Sequence, residues 1–335
     1  MNIAVQSEPL LRIGTLCAAK ITPLALLRPA QQIPGVAVTA IAARDPRRGQ
    51  KFAARYGIPS LYNSYQALLD SPEVDAVYIP LPNSLHCDWT LRALAAGKHV
   101  LCEKPLAANA EQASQMAAAA NSARLILTEA FHYRYHPLAP RMKEIVSSGQ
   151  LGQIQHLEAH LNTNVFNPWD IRFNFQLGGG SLMDTGSYTV NLLRFLAGAE
   201  PRVLAARARC ISPQVDRWME ADLVFPDGQT GHLTCSTLSS IIFRWTVTVR
   251  GSAATLHVVN PIRPYRRHQL TITSGKVVHQ ETVPGKGTTF QYQLEAFVNA
   301  IRGRGPNLTP PEDAVRNQSV IDEIYRAAGL RPRGT

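Results

Sequence analysis

Over the first 130 residues, short apolar runs alternate with helical patterns, the form that successive βαβ units around a parallel sheet take in sequence. Leu11–Leu16 (LRIGTL) predicts a first strand, and residues 20–31 predict a helix whose limits are blurred by Pro23 and Pro29. Residues 36–43 (VAVTAIAA) are almost continuously apolar, as a strand covered on both faces requires. Asp45 then offers an N-cap and Pro46 a first helical position, for a helix ending near Gly57. Residues 74–81, 99–103 and 125–129 repeat the strand pattern, separated by helices over residues 86–96 and 110–122. Gly97 stands where a left-handed C-cap is needed.

Beyond residue 150 the texture changes. IQHLEAHL, VLAARARC, EADLVF, TGHLTCSTL, RWTVTVRG, AATLHVV and LTITSG are strand-like runs without regular helices between them, and Pro226-Asp227-Gly228 and Ser274-Gly275 supply turn chemistry. Two helical patterns follow, over residues 289–302 and 311–328. The reading is an α/β protein: a doubly wound parallel sheet in residues 1–130, then an α+β half in residues 131–335 on a mainly antiparallel open sheet. That open sheet would leave an apolar face in need of a cover, so a homodimer or higher homo-oligomer is expected.

A chain of 335 residues is more than one core usually serves, which agrees with two halves. With 45% hydrophobic and 17% charged residues it has a globular composition, and no apolar run nears the roughly 18 residues that would span a bilayer. The opening MNIAVQSEPLLRIG lacks a basic region, a long apolar core and a cleavage site, so no secretory leader and a cytoplasmic location are expected. The net charge of +10 invites a nucleic-acid partner, but it is nearly all scattered arginine, densest at Arg44, Arg47, Arg48 and at Arg263, Arg266, Arg267. With no basic run, RNP-like string or finger, an anionic small ligand at the first cluster is the better reading. Five widely spaced cysteines fit reduced thiols rather than a disulfide frame or a metal site.

The turn after the first strand is where a dinucleotide's pyrophosphate would meet backbone amides and a helix dipole. It runs Gly14-Thr15-Leu16-Cys17-Ala18-Ala19-Lys20-Ile21, without an intact glycine fingerprint, and by itself reads equally as a bare βα turn. The tip of the second strand, Ala42-Ala43-Arg44-Asp45-Pro46-Arg47-Arg48, is more informative. An NAD site usually places an acid at this tip for the ribose; here Arg44 can pair with a 2′-phosphate, with Arg48 beside it, unless this is only a solvated basic helix start. NADP is therefore favoured, with NAD as the alternative.

Two further segments carry specific marks: Tyr78-Ile79-Pro80-Leu81-Pro82-Asn83-Ser84-Leu85-His86, and His99-Val100-Leu101-Cys102-Glu103-Lys104-Pro105. A third is Gly178-Gly179-Gly180-Ser181-Leu182-Met183-Asp184-Thr185-Gly186-Ser187-Tyr188. In order and spacing these resemble the Pro-Asn-x-x-His turn, the Glu-Lys-Pro tripeptide and the third motif of the glucose-fructose oxidoreductase / inositol dehydrogenase / rhizopine-catabolism family. The match lies on the branch with Tyr in the last motif, which includes glucose-fructose oxidoreductase and dimeric dihydrodiol dehydrogenase. The resemblance covers essentially the whole chain and implies a Rossmann first half, with Lys104, Asp184 and Tyr188 at the catalytic positions. It also implies dinucleotide contacts from the first turn, Arg44, Leu81, Pro82, Asn83, His86, Glu103 and Lys104. Aligned this way, Cys17 and Ala19 stand where the family has glycine, and a positive φ at Cys17 would cost roughly 1 kcal/mol or more.

The residues read by themselves agree. Lys104 falls at the carboxyl end of a parallel strand, where ligands collect, and can donate to a substrate oxygen; the alternative is an ordinary surface lysine. Asp184 and Tyr188, four apart at a helix start, share a face. The phenol can move a proton if positive charge lowers its pKa from about 10, and the carboxylate can orient a hydroxyl; otherwise they are a helix-terminal acid and a half-buried aromatic. Glu129, Arg134, Tyr135 and His136 fall where the halves meet, to line a site or to pack, and Arg172 is either a substrate anchor or a salt-bridge partner. His156 and His160 in HLEAH are not a zinc motif, and no metal is expected. The expectation is an NADP-preferring oxidoreductase acting on a CH–OH group of a polyol, sugar or cyclic diol. The alternative, resting on Cys17, is a cofactor-binding regulator or scaffold without turnover.

Overall fold

The computed structural model describes residues 9–241 and 243–335, so most of the opening segment read for a leader lies outside the described residues. Strands β1 (Leu11–Leu16), β2 (Val36–Ala42), β3 (Ser60–Tyr62), β4 (Ala76–Ile79), β5 (His99–Cys102) and β6 (Leu127–Glu129) form one parallel sheet in the order β3-β2-β1-β4-β5-β6. The order reverses at β1, and in such a sheet ligands bind outside the carboxyl ends at that point. A π-helical turn, Pro23–Leu27, runs into α1 (Arg28–Ala30); α2 (Pro46–Tyr56), α3 (Tyr65–Leu69), α4 (His86–Ala95) and α5 (Ala110–Ala123) complete the crossovers. The Asp45 carboxylate caps α2, accepting from the amides of Arg47 and Arg48, and α2 ends at Gly57 with φ +67°. Gly97 takes φ +75°, as its position predicts.

Before residue 150, three helices or strands escape the sequence pattern. β3 is a three-residue, largely exposed edge strand and α3 a single short turn, too brief for a period to show. α6 (Leu138–Ser147) has Pro140 in its first turn, where proline costs a helix nothing but disguises its start.

The second half contains β7 (Ile154–Asn162), α7 (Ser187–Ala197), β8 (Arg202–Ser212), β9 (Val215–Val224), β10 (Thr230–Ser236), β11 (Arg244–Gly251), β12 (Thr255–Val259), β13 (Gln269–Ser274) and β14 (Val277–Glu281). Its sheet runs β14-β13-β12-β11-β7-β10-β9-β8, antiparallel except where β7 meets β10. Leu157, Ala159, Leu161, Leu233, Val247, Val249 and Leu256 point to one face and pack with residues of α6 and α7. The opposite face corrects the argument for a homo-oligomer, because it is not apolar. It carries His156, Glu158 and His160 of β7 opposite Thr230, His232 and Thr234 of β10, joined by hydrogen bonds such as His160 Nδ1 to Thr234 Oγ1 at 2.6 Å.

The chain then returns to the first sheet. α8 (Thr289–Ile301) sets Phe290, Leu294, Phe297 and Val298 against Leu11, Ile13, Leu26 and Tyr78. α9 (Pro311–Ala327) buries Ala314 with the first half and Val320, Ile321, Ile324 and Tyr325 with the second. After it, Arg333 is fully buried: its Nε donates to the Gly179 carbonyl at 2.6 Å and its Nη2 to Asp216 Oδ1 at 2.8 Å, while Tyr325 lies beneath the guanidinium. The other Asp216 oxygen accepts from Ser181 Oγ and the Leu182 amide, both at 2.7 Å, so the carboxylate holds the start of the segment bearing Asp184. A side chain at Gly180, where φ is +132°, would collide with Asp216, Tyr325 and Arg333. Removing one partner of a fully buried ion pair strands the other charge. Arg333→Ala should therefore cost about 3–5 kcal/mol of unfolding free energy, measured by denaturant titration; a loss below about 1 kcal/mol would refute the assignment.

Candidate functional site

Lys104 follows β5 at the carboxyl end of the parallel sheet, and Asp184 lies in a π-helical turn, Leu182–Gly186, that leads into α7. The structure brings them together although 80 residues separate them: Lys104 Nζ donates to Asp184 Oδ1 at 3.0 Å and to the Asp184 carbonyl at 2.8 Å. Their side chains are only 12% and 19% exposed, so this pair is shielded from the solvent that weakens surface ion pairs. The other carboxylate oxygen accepts from Arg172 Nε at 2.6 Å, and Arg172 Nη1 reaches Asp170 Oδ1 at 3.0 Å. Burial alone would raise the Asp184 carboxyl, but the charges of Lys104 and Arg172 and their hydrogen bonds outweigh it and hold the pKa well below the usual carboxylate range. With both oxygens engaged, Asp184 holds Lys104 instead of offering a free oxygen to a substrate hydroxyl. Arg172 resolves as a salt-bridge partner of Asp184 and Asp170.

Tyr188 lies in the first turn of α7, and Lys104 Nζ stands 4.7 Å from the centroid of its ring, over the face and not at the hydroxyl. The expected lowering of the phenol by positive charge is absent here. Burial, with the negative charge of Glu103 nearby, pushes its pKa well above 10, against an opposing effect of Arg263. Glu103 is itself raised by burial and accepts from the Tyr78 hydroxyl at 2.6 Å. The Tyr188 oxygen lies 3.1 Å from Nε2 of His132, a residue the sequence reading passed over. It sits in a short 3₁₀ turn, His132–Tyr135, where no period tells which side chain turns inward.

Of its neighbours, Arg134 pairs with Asp313 and lies over Phe195, Tyr135 bonds Thr309, and His136 is buried against His268 and Tyr292, so all three are engaged in packing within residues 131–335. Glu129 is buried with them: Oε1 accepts from the Leu106 amide at 2.8 Å, and Oε2 has no partner among the described residues. His86 is corrected from a cofactor contact to a brace. It is fully buried, with Nδ1 2.9 Å from the Pro105 carbonyl and Nε2 2.8 Å from that of Leu81, so it ties the loop after β4 to the loop carrying Lys104. Asn83 donates to the Gly178 carbonyl at 2.9 Å and so brings the Leu81–Pro82–Asn83 turn against the glycine run.

Towards the tips of β1 and β2, Gly14 is buried, and a Cβ there would lie 2.8 Å from Leu68 Cδ2, so packing against α3 requires glycine at this position. Cys17 adopts φ +113°, a conformation that suits glycine and costs other residues about 1–3 kcal/mol. Ala18 is buried and its carbonyl accepts from Arg48 Nη2 at 2.8 Å, while Cys17, Ala19, Lys20 and Ile21 remain accessible. Burial raises the Cys17 thiol, opposed by Arg48, a hydrogen bond with Tyr65, and Arg44. Arg44 is exposed at the strand tip, and Asp45, the one nearby acid in this segment, is occupied as the α2 cap. An accessible turn at the reversal point, flanked by arginine with no free carboxylate, fits the polar end of a phosphorylated dinucleotide. Among the described residues no His/Cys/Asp/Glu group could hold a metal, and no helix is long and apolar enough to cross a membrane.

Comparisons with known proteins agree with this geometry. The model of an oxidoreductase family with an NAD-binding Rossmann fold, GFO_IDH_MocA, matches residues 13–131, and that of the GFO/IDH/MocA C-terminal domain matches residues 140–257. The chain is 34% identical over 302 residues to D-xylose 1-dehydrogenase (NADP(+)) 2 of Haloferax volcanii, spanning 90% of this chain and 92% of that protein. It is 33% identical over 226 residues to trans-1,2-dihydrobenzene-1,2-diol dehydrogenase of Sus scrofa, spanning 67% and 66%. A 3-ketoreductase from Actinomadura kijaniata, solved in complex with NADP and TDP-benzene, superposes with a TM-score of 0.87 at 30% identity over 97% of this chain and 98% of the other.

The buried Glu129 carboxyl yields a pH prediction. Burial raises its pKa to about 8 against an ordinary 4.5, opposed by the Leu106 amide. A raised acid favours the folded state fully below its unfolded pKa, and that contribution is lost as pH rises through the folded value. Glu129→Gln should therefore flatten the fall of the thermal midpoint between about pH 5 and 8, measured by calorimetry. Parallel curves for the two proteins would refute it.

Proposed function

Because the chain belongs to the GFO/IDH/MocA oxidoreductase family, we propose that it interconverts a secondary alcohol and the matching carbonyl of a sugar-like or cyclic diol substrate, with NADP(H) as the preferred dinucleotide. The observation that carries this reading is the convergence of Lys104, Asp184 and Tyr188 at the carboxyl end of the first sheet. The nicotinamide, when bound, supplies or takes the hydride at its C4. Residues 1–130 would hold the dinucleotide, with Cys17 to Ile21 available to its phosphates and Arg44 to the 2′-phosphate. Residues 131–335 supply most of the substrate surface.

The chain's own residues manage the proton and the oxygen. In the reducing direction the Tyr188 O–H bond breaks and its proton passes to the carbonyl oxygen as that carbon gains hydride; in oxidation the phenolate takes the proton back. Lys104, pinned by Asp184, which Arg172 holds in turn, stands over the Tyr188 ring as a fixed positive charge and donor for the substrate oxygen, which lowers the cost of charge developing there. Support for a sugar or diol comes from relatives named for D-xylose and dihydrobenzenediol, and for NADP from the exposed Arg44. The strained Cys17 favours a second reading, a dinucleotide-binding protein without turnover.

Fluorescence titration with NADPH and NADH, followed by a panel of sugars and dihydrodiols, separates the two. Binding with turnover is expected, binding without turnover selects the second reading, and no binding overturns both. Tyr188→Phe and Lys104→Ala should each lower turnover on the order of 100-fold or more while keeping NADPH binding; near-normal turnover would refute the proton path. Arg44→Ala should weaken NADPH far more than NADH, and equal losses would remove the 2′-phosphate assignment.

A further inference from the structure

We propose that His132 is a positioning residue for Tyr188: a neutral imidazole whose Nε2–H donates to the phenolic oxygen, turns the phenol's proton toward the substrate and stabilises the phenolate left behind. This rests on the proton role given to Tyr188 above. The geometry begins with the 3.1 Å approach of His132 Nε2 to the Tyr188 oxygen. The imidazole is buried, packed at 4.1 Å between centroids on Phe290 of α8, and its Nδ1 has no partner among the described residues. Phe131 meets the Tyr188 ring edge-on at 5.3 Å, so both rings are held on more than one side.

A neutral imidazole carries one proton, and two arrangements compete. If Nδ1 carries it, a buried N–H goes unpaired, and Tyr188 must spend its own proton on Nε2 and turn it away from a substrate. If Nε2 carries it, the orphan is a bare lone pair at Nδ1 and the phenol's proton is free. Buried unpaired donors are rarer than under-used acceptors, so the second arrangement wins on energy as well as on chemistry. Double protonation is opposed by burial and by the charges of Arg263 and Lys104, which push the His132 pKa well below its ordinary value. His132 therefore donates without taking the proton itself.

The same bond answers a difficulty at Tyr188. The titratable and charged groups around the phenol are His132, Tyr78, Glu103, Asp184, Tyr133, Arg263 and Lys104, and burial together with Glu103 disfavours its ionised form. A hydrogen bond to an ionised acceptor is about twice as strong as one to a neutral acceptor. The contact with His132 Nε2 thus strengthens as the proton leaves Tyr188, and it weakens again on reprotonation.

Nitrogen-15 NMR of histidine-labelled protein, with His132→Gln to assign the signal, tests the tautomer without turnover. A neutral ring with the proton on Nε2 from about pH 5 to 8 is expected; a proton on Nδ1, or double protonation in that range, overturns the proposal. The kinetic arm compares two variants. His132→Leu should keep NADPH binding, lower kcat on the order of 100-fold with KM little changed, and move the Tyr188 limb of the kcat–pH profile to higher pH. His132→Gln, which returns an N–H donor, should recover most of the rate and the limb. Equal impairment of both with an unshifted profile would mean that His132 only packs, and would overturn the proposal. If the wild type shows no turnover on any substrate, the function proposed above fails instead, and the NMR result alone decides the tautomer.

Discussion

The buried contact between Lys104 and Asp184 is the constraint on which the rest of the site depends. Each of its members is fixed from a different part of the chain. Lys104 is set by the end of β5 and by the His86 brace between the Leu81 and Pro105 carbonyls. Asp184 is set by the Asp216 clamp on Ser181 and Leu182, which Arg333 and Tyr325 complete. An ammonium and a carboxylate brought this far from water are costly unless their remaining hydrogen bonds are met. Here the Asp184 carbonyl and the Arg172 guanidinium meet them. The result is a lysine whose position is determined before any substrate arrives, which is the preorganisation that electrostatic stabilisation requires.

The first half was largely legible in the sequence because its signals are local. Continuous apolar strands, the Asp45 and Pro46 helix start and the Gly57 and Gly97 ends each act within a few residues, and they fall where the pattern places them. That Lys104, Asp184 and Tyr188 lie together was also legible, since the motifs carry all three. What was not legible depended on contacts between distant segments. Nothing near Gly14 announces that Leu68 will lie against it, and nothing near His86 shows that two carbonyls will close over its ring. His132 went unnoticed for the same reason, because its partner is 56 residues away.

The outer face of the second sheet is a similar case. Alternation along β7 and β10 marks one face as apolar, and that face is fully used by the protein's own helices. The other is a lattice of histidine, threonine and carboxylate side chains that satisfy one another across strands. Period-2 patterning distinguishes two faces but does not say which one the helices take.

The return of α8 to the first sheet has a consequence for synthesis on the ribosome. Leu11, Ile13 and Tyr78 belong to the first half, yet their cover includes Phe290, Leu294 and Phe297, which emerge more than 200 residues later. At about 5–20 residues per second, that interval is on the order of 10–40 s. Throughout it, one side of the nascent parallel sheet presents apolar side chains to the surroundings. The N-terminal half therefore cannot finish folding as a closed unit ahead of the rest. Until α8 has been made, aggregation competes with folding for this exposed surface.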